Sequence, residues 1–256
     1  MTSWLVFGCI AVSVLITSFI SGILGMAGGM ILMGVLLALL PLPAAMMLHG
    51  ITQMASNGWR AWLWRPHISG RVLGGYVLGA LLALGLFIVV QLVVSKPVAY
   101  LILGATPFLS YILPKGLALN IDRRGHPLLC GAVCTGLQLL AGVSGPLLDV
   151  FFVTSKMDRR GVVATKAASQ TFGHLIKIFY FGGISAISSH AADGLTLPLA
   201  ITCVLLAFTG TTLSRRVLEN MTDANFRQWT QRTVLTIGVI YLAYGAWLML
   251  PATAVR

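Results

Sequence analysis

Apolar runs recur along the whole chain, separated by short polar, glycine or proline breaks. Runs of about 20 such residues are long enough to cross the hydrocarbon core of a bilayer. The pattern predicts a first helix over residues 4–25 and a second, short for a full span, over 30–40, with a glycine cluster at 25–29 between them. Pro41 and Pro43 end that pair, and helices over 44–64, 72–94 and 97–113 follow. A polar linker at 114–127, carrying Lys115, Asp122, Arg123 and Arg124, divides the chain. Beyond it the order repeats: an apolar segment over 128–155 interrupted at 142–146, then helices over 162–187, 198–213 and 229–250. The polar stretch 214–232 reads as a loop. The expected division is a first membrane repeat at 1–113, a cytoplasmic linker at 114–127 and a second repeat at 128–256.

The two halves repeat more than their order. Gly25 and Gly142, Gly28 and Gly145, Gln53 and Gln170, Asn57 and His174, and Arg60 and Lys177 all stand 117 positions apart. In each half a glycine-broken apolar segment precedes a helix with a polar stripe. His49, Gln53, Asn57 and Arg60 form one stripe, and Lys166, Gln170, His174 and Lys177 the other. Both follow the spacing i, i+4, i+8, i+11, which is one helical face. Paired broken helices in corresponding halves point to a secondary transporter's binding site.

Composition agrees. Only 9% of residues are charged, 57% are hydrophobic and mean hydropathy is +0.92, where a soluble domain has roughly 25% charged. No soluble domain is left over. The net charge of +11 is not a nucleic-acid signal, because the basic residues sit in short loops between spans, where they set orientation. Trp59, Trp62 and Trp64 at one helix end suit an interfacial anchor, and Arg60 beside them reads as a snorkelling cation. The N-terminal segment lacks a positive n-region and its apolar sequence continues past Gly29, so it is expected to stay on. Cys9, Cys130, Cys134 and Cys203 form no CxxC pair and read as small packing residues.

The loops also predict an orientation. Arg60, Arg65 and Arg71 place one loop in the cytoplasm, as do Lys115, Arg123 and Arg124 in the linker. Lys156, Arg159 and Arg160 mark a third cytoplasmic loop, and Arg215, Arg216, Arg227 and Arg232 a fourth; 188–196 has no Lys or Arg and should be external. These assignments agree only if each glycine-broken unit crosses the membrane an even number of times or returns as a re-entrant hairpin. The helix at 44–64 then runs inward and its mate at 162–187 outward. The expected fold is an all-α polytopic bundle of two inverted repeats.

Candidate chemistry collects at the repeated elements. The glycine clusters fail as dinucleotide fingerprints, since no strand precedes them. Two readings stand: close helix packing through small residues, or breaks at membrane depth whose freed N–H groups face a cavity and favour an anion. The second makes Gly25, Gly28, Gly29, Gly142, Ser144 and Gly145 candidate substrate contacts. From the polar faces come His49, Gln53, Asn57, Lys166, Gln170 and His174, because intramembrane cations and amides face a cavity or each other. Asp149 is the one acidic residue deep in an apolar run. It must be paired or protonated, with Lys166 the first partner and His174 the second, as a structural ion pair or a proton carrier. Metal binding is not expected, since His49 and His174 have no carboxylate or cysteine at helical spacing. No nucleophile constellation or P-loop is present, so no enzyme, cofactor or ATP drive is indicated.

At these residues the chain resembles the TauE/SafE family of sulfite and organosulfonate exporters and anion permeases. The marks are Ser21-Gly22-Ile-Leu-Gly25-Met-Ala-Gly28-Gly29, the second cluster Gly136…Gly142-Val-Ser-Gly145-Pro146, and Arg159-Arg160-Gly161 opening the following helix. Here Pro146 stands where the family's second cluster has glycine. The resemblance covers essentially the whole chain. It implies a multi-pass protein of a bacterial-type inner membrane, moving a small anion such as sulfite or a sulfonate. The partners expected are that anion and the lipid bilayer, with no nucleic acid; a channel, or less readily an integral-membrane enzyme, is the alternative.

Overall fold

The computed structural model describes residues 4–24, 26–109, 119–187, 194–219 and 223–250. Its helices are α1 (Trp4–Leu24), α2 (Met26–Leu39), α3 (Leu42–Leu63), α4 (Gly70–Val90), α5 (Lys96–Ala105), α6 (His126–Ala141), α7 (Gly145–Phe152), α8 (Arg159–Ile187), α9 (Leu197–Glu219) and α10 (Asp223–Met249). The described residues contain no strand. Among the described residues, four stretches are long and apolar enough to cross a membrane: Trp4–Leu24, Gly70–Val90, Leu197–Ser214 and Gln228–Met249. Their outer faces expose large apolar side chains such as Leu82, Leu86, Val89, Leu205 and Val239, as a lipid-facing surface requires. This is an all-α membrane bundle.

Packing follows an exchange of halves. α1 packs on α9 and its counterpart α6 on α4; α3 packs on α9 and α8 on α4. The two central contacts, α3 on α8 and α5 on α10, pair each helix with its own counterpart. Small residues set these distances, since lipid offers no hydrophobic gain and close backbones maximise dispersion contacts. A methyl on Gly79 would meet the Leu128 carbonyl and one on Gly131 the Tyr76 carbonyl, so α4 and α6 touch backbone to backbone. At the α5–α10 crossing a methyl on Gly104 would stand 2.8 Å from the Gly238 carbonyl oxygen.

Several boundaries differ from expectation. Residues 214–219 and those from 223 on are helical, so the stretch read as a loop instead extends α9 and starts α10. Its polar residues are carried on turns continuous with apolar spans, which periodicity alone reads as a break. α5 has 10 residues and gives way to a 3₁₀ turn at Thr106–Phe108, where Pro107 cannot supply the next helical N–H. Gly28 and Gly29 lie inside the first turn of α2 rather than between helices; residue 25 alone separates α1 from α2. Gly25 itself lies outside the described residues, as do 110–113 of the helix expected over 97–113, 114–118 of the linker and 188–193 of the loop expected outside.

The end of the linker is tied down. Asp122 accepts hydrogen bonds from Ser155 Oγ at 3.0 Å and from the Lys156 backbone N–H at 2.7 Å. Arg71 donates to the Asp122 carbonyl at 3.1 Å. These bonds hold the α7–α8 connection against the start of α4.

Candidate anion site

The second helix break is complete. α6 closes on Gly142, at φ 81°, whose N–H donates to the Gln138 carbonyl at 2.8 Å. That left-handed position suits glycine, which has no Cβ to strain. Ser144 precedes α7 at φ −130° and ψ 1°, with no side-chain cap bond, and Pro146 occupies the first turn of α7, where a missing N–H costs nothing. The chain therefore reverses direction between Ala141 and Gly145 at the level of the middle of α3 and α8.

Those two central helices run antiparallel. A methyl on Gly50 would lie 3.4 Å from the His174 carbonyl oxygen and one on Gly58 3.6 Å from Thr171 Cγ2. The polar stripes consequently face one space, a cavity of about 720 Å³. His49, Gln53, Asn57 and Arg60 line it from α3, and Lys166, Gln170 and His174 from α8. Gly29 from α2, with Ser144, Gly145 and Asp149 from the second break and α7, complete the predicted set that it gathers. In each half the glutamine lies against the start of a broken helix. A methyl on Gly29 would stand 3.5 Å from the Gln53 amide, and one on Gly145 3.6 Å from Gln170 Nε2.

Behind the cavity a buried network joins the halves. The His49 and His174 rings lie 5.5 Å apart, tilted. His49 Nε2 is 2.9 Å from the Gly29 carbonyl oxygen; a carbonyl only accepts, so Nε2 carries the hydrogen. Nδ1 of His49 then accepts from Lys177 Nζ at 2.7 Å, and Lys177 also donates to the Gly142 carbonyl at 2.9 Å. Ser144 Oγ donates to Gln138 Oε1 at 2.8 Å, leaving Gln138 Nε2 to donate to His174 Nδ1 at 3.0 Å. Each break is thus fastened to the polar stripe of its own half, and the Lys177–His49 bond joins the two halves.

Asp149 pairs with Lys166, the first of the two partners anticipated. Both side chains are partly exposed, 36% and 26%, because α7 turns the carboxylate into the cavity rather than into apolar packing. His174 is instead held by Gln138.

Three residues lie elsewhere than the sequence suggests. Gly28 does not line the cavity: a methyl there would run into the Thr17 carbonyl of α1, so its role is close packing. Gly142 does not line it either; it closes α6 and gives its carbonyl to Lys177. Arg60, read as a lipid-surface anchor, lines the cavity, because the same helical face that carries Gln53 and Asn57 turns it inward. Ser21, Gln138 and Arg159 are not among the substrate contacts that the sequence suggests. Ser21 and Arg159 line the cavity, and Ser21 and Gln138 also stand 117 positions apart, a signal already in the sequence.

A family model for sulfite exporter TauE/SafE matches residues 9–244. The chain belongs to the TauE/SafE family. No curated protein and no solved structure matched it. TauE/SafE proteins are membrane transporters of sulfite-type anions, and the match spans both halves, both breaks and every cavity-lining residue named above. In this TauE/SafE chain Pro146 is accommodated because α7 still starts at Gly145, one residue earlier.

Proposed function

We propose that the protein is a secondary transporter that moves a small sulfur oxyanion or sulfonate, sulfite or an organosulfonate or sulfocarboxylate, by alternating access across a bacterial-type inner membrane. The observation that carries this reading is that one cavity draws matched residues from both halves: Gln53 with Gln170, and the stripes that carry His49 and His174. A site between two repeats can face either side as one repeat rocks against the other.

The lining suits an anion. Lys166, Arg60 and Arg159 share the lining with one carboxylate, Asp149, and the amides of Gln53, Asn57 and Gln170 add donors. Charge-assisted hydrogen bonds of this kind replace the hydration that a sulfonate loses on entry. The lining runs from His49 and His174, midway along α3 and α8, to Arg60 and Arg159 at the helix ends that carry the basic loops. With those loops cytoplasmic, the cavity faces inward, and residues 1–113 and 128–256 act as the two repeats. Asp149, beside Lys166 and open to the cavity, is the proposed proton-coupling group. A thermal-stability panel of sulfite, sulfoacetate, isethionate, taurine and simple carboxylates on purified protein tests the reading. Stabilisation by sulfur oxyanions supports it, and a flat panel contradicts it.

A further inference from the structure

The two halves present matched stripes but spend their cations differently. On α8, Lys177 is fully buried and committed to His49 and the Gly142 carbonyl, while Lys166 is committed to Asp149. Arg60 holds the position on α3 that Lys177 holds on α8, yet it lines the cavity. Among the described residues its guanidinium meets no hydrogen-bond or ion-pair partner. Up the same face, Asn57 and Gln53 follow at one and two turns. Gln53 is 4% exposed, and its Nε2, which has two hydrogens to donate, has no partner.

A partly buried cation and a buried amide left unsatisfied are both costly, and together they define a place where an anion would be stabilised. Resting on the transport reading above, we infer that Arg60, Asn57 and Gln53 of the first half form the seat of the substrate's anionic head, with Arg60 as the cation that meets it. The planar guanidinium fork matches two oxygens of one head group, and Gln53 Nε2 reaches a further acceptor. Such a seat selects sulfite, sulfonate or carboxylate over a spherical halide, which cannot take the fork in bidentate fashion. The rest of the substrate then lies toward Gln170 and the Lys166–Asp149 pair.

Affinity for sulfite, sulfoacetate, isethionate and chloride on the purified full chain, by titration calorimetry, tests this with Arg60→Gln, Arg60→Lys and Arg65→Gln. Arg65 is exposed and donates to the Trp62 carbonyl outside the cavity, so its loss controls for general positive field. Arg60→Gln should bind the oxyanions roughly 100-fold more weakly and Arg60→Lys about tenfold, with Arg65→Gln unchanged. Should Arg60→Gln fail to fold, Arg60→Lys keeps the charge and carries the test through its loss of oxyanion-over-chloride preference. Wild-type oxyanion binding matched by both Arg60 variants would overturn the seat and leave the transport reading standing. Absence of oxyanion binding to the wild type would overturn that reading and the seat with it.

Discussion

Lys177 of the second half donates a hydrogen bond to Nδ1 of His49 in the first, at 2.7 Å, across the contact of the two central helices. Because Lys177 also holds the Gly142 carbonyl and His49 holds the Gly29 carbonyl, this one bond ties both helix breaks together. Lys177→Met should lower the melting temperature in detergent by the loss of two bonds, each worth roughly 1–2 kcal/mol in a membrane interior. His49→Ala should cost a similar amount. The double variant should cost clearly less than the two single effects added, because the residues share one network. Simple additivity in thermal unfolding would show that the bridge is not energetically coupled.

The Lys166–Asp149 pair gives a different signature. Asp149→Ala or Lys166→Ala leaves one charge without its counterpart, whereas changing both removes both. Each single variant should therefore unfold at a lower temperature than the double. The pair is partly exposed, so water screens the effect and the differences should be modest. If Asp149 carries the coupled proton, Asp149→Asn should also make transport indifferent to external pH. Retained pH dependence in that variant would remove Asp149 from the coupling step.

Two adjacent glycines should respond in opposite ways. Gly28→Ala pushes a methyl into the Thr17 carbonyl and to within 2.6 Å of the Ser21 backbone nitrogen, both in α1. It should destabilise by roughly 1–3 kcal/mol, as overpacking does. Gly29→Ala places its methyl at ordinary contact distance, 3.5 Å, from the Gln53 amide. It should fold normally and alter anion affinity instead. Paired melting and binding curves for the two variants would separate packing from site.

Gln53→Ala and Gln170→Ala should each weaken anion binding without unfolding the protein. Each removes a hydrogen bond to a charged group, about 1.5–3 kcal/mol, or roughly ten- to a hundredfold in affinity. Unchanged affinity in both would make the stripes packing features.

Much of this organisation was legible in the chain because it is periodic. The constant 117-residue register pairs Gln53 with Gln170, which line one cavity, and the stripe spacing gives each of the two helices one polar face. What the pattern could not show was which way a helix end turns. Arg60, one turn beyond Asn57 and beside Trp59 and Trp62, has the sequence surroundings of an interfacial anchor, and only the antiparallel packing of α3 on α8 turns it inward. Lys177 likewise reads in sequence as one more member of the polar stripe that Lys166, Gln170 and His174 share. Its burial depends on Gly142 ending α6 within reach of its ammonium group, a tertiary contact 35 residues away. The extension of α9 and α10 into polar sequence was hidden for a related reason: helices continue past the apolar core wherever their turns have partners or water.

The central claim, that the cavity between the halves carries a sulfur oxyanion from one side of the membrane to the other, is tested most directly by counterflow. Proteoliposomes preloaded with unlabelled sulfite or sulfoacetate should take up the labelled anion transiently above its equilibrium level, and a Gln53→Ala, Gln170→Ala protein should not. Uptake that only runs downhill, at conductances readable as single-channel current and with no overshoot from preloading, would contradict alternating access at this site.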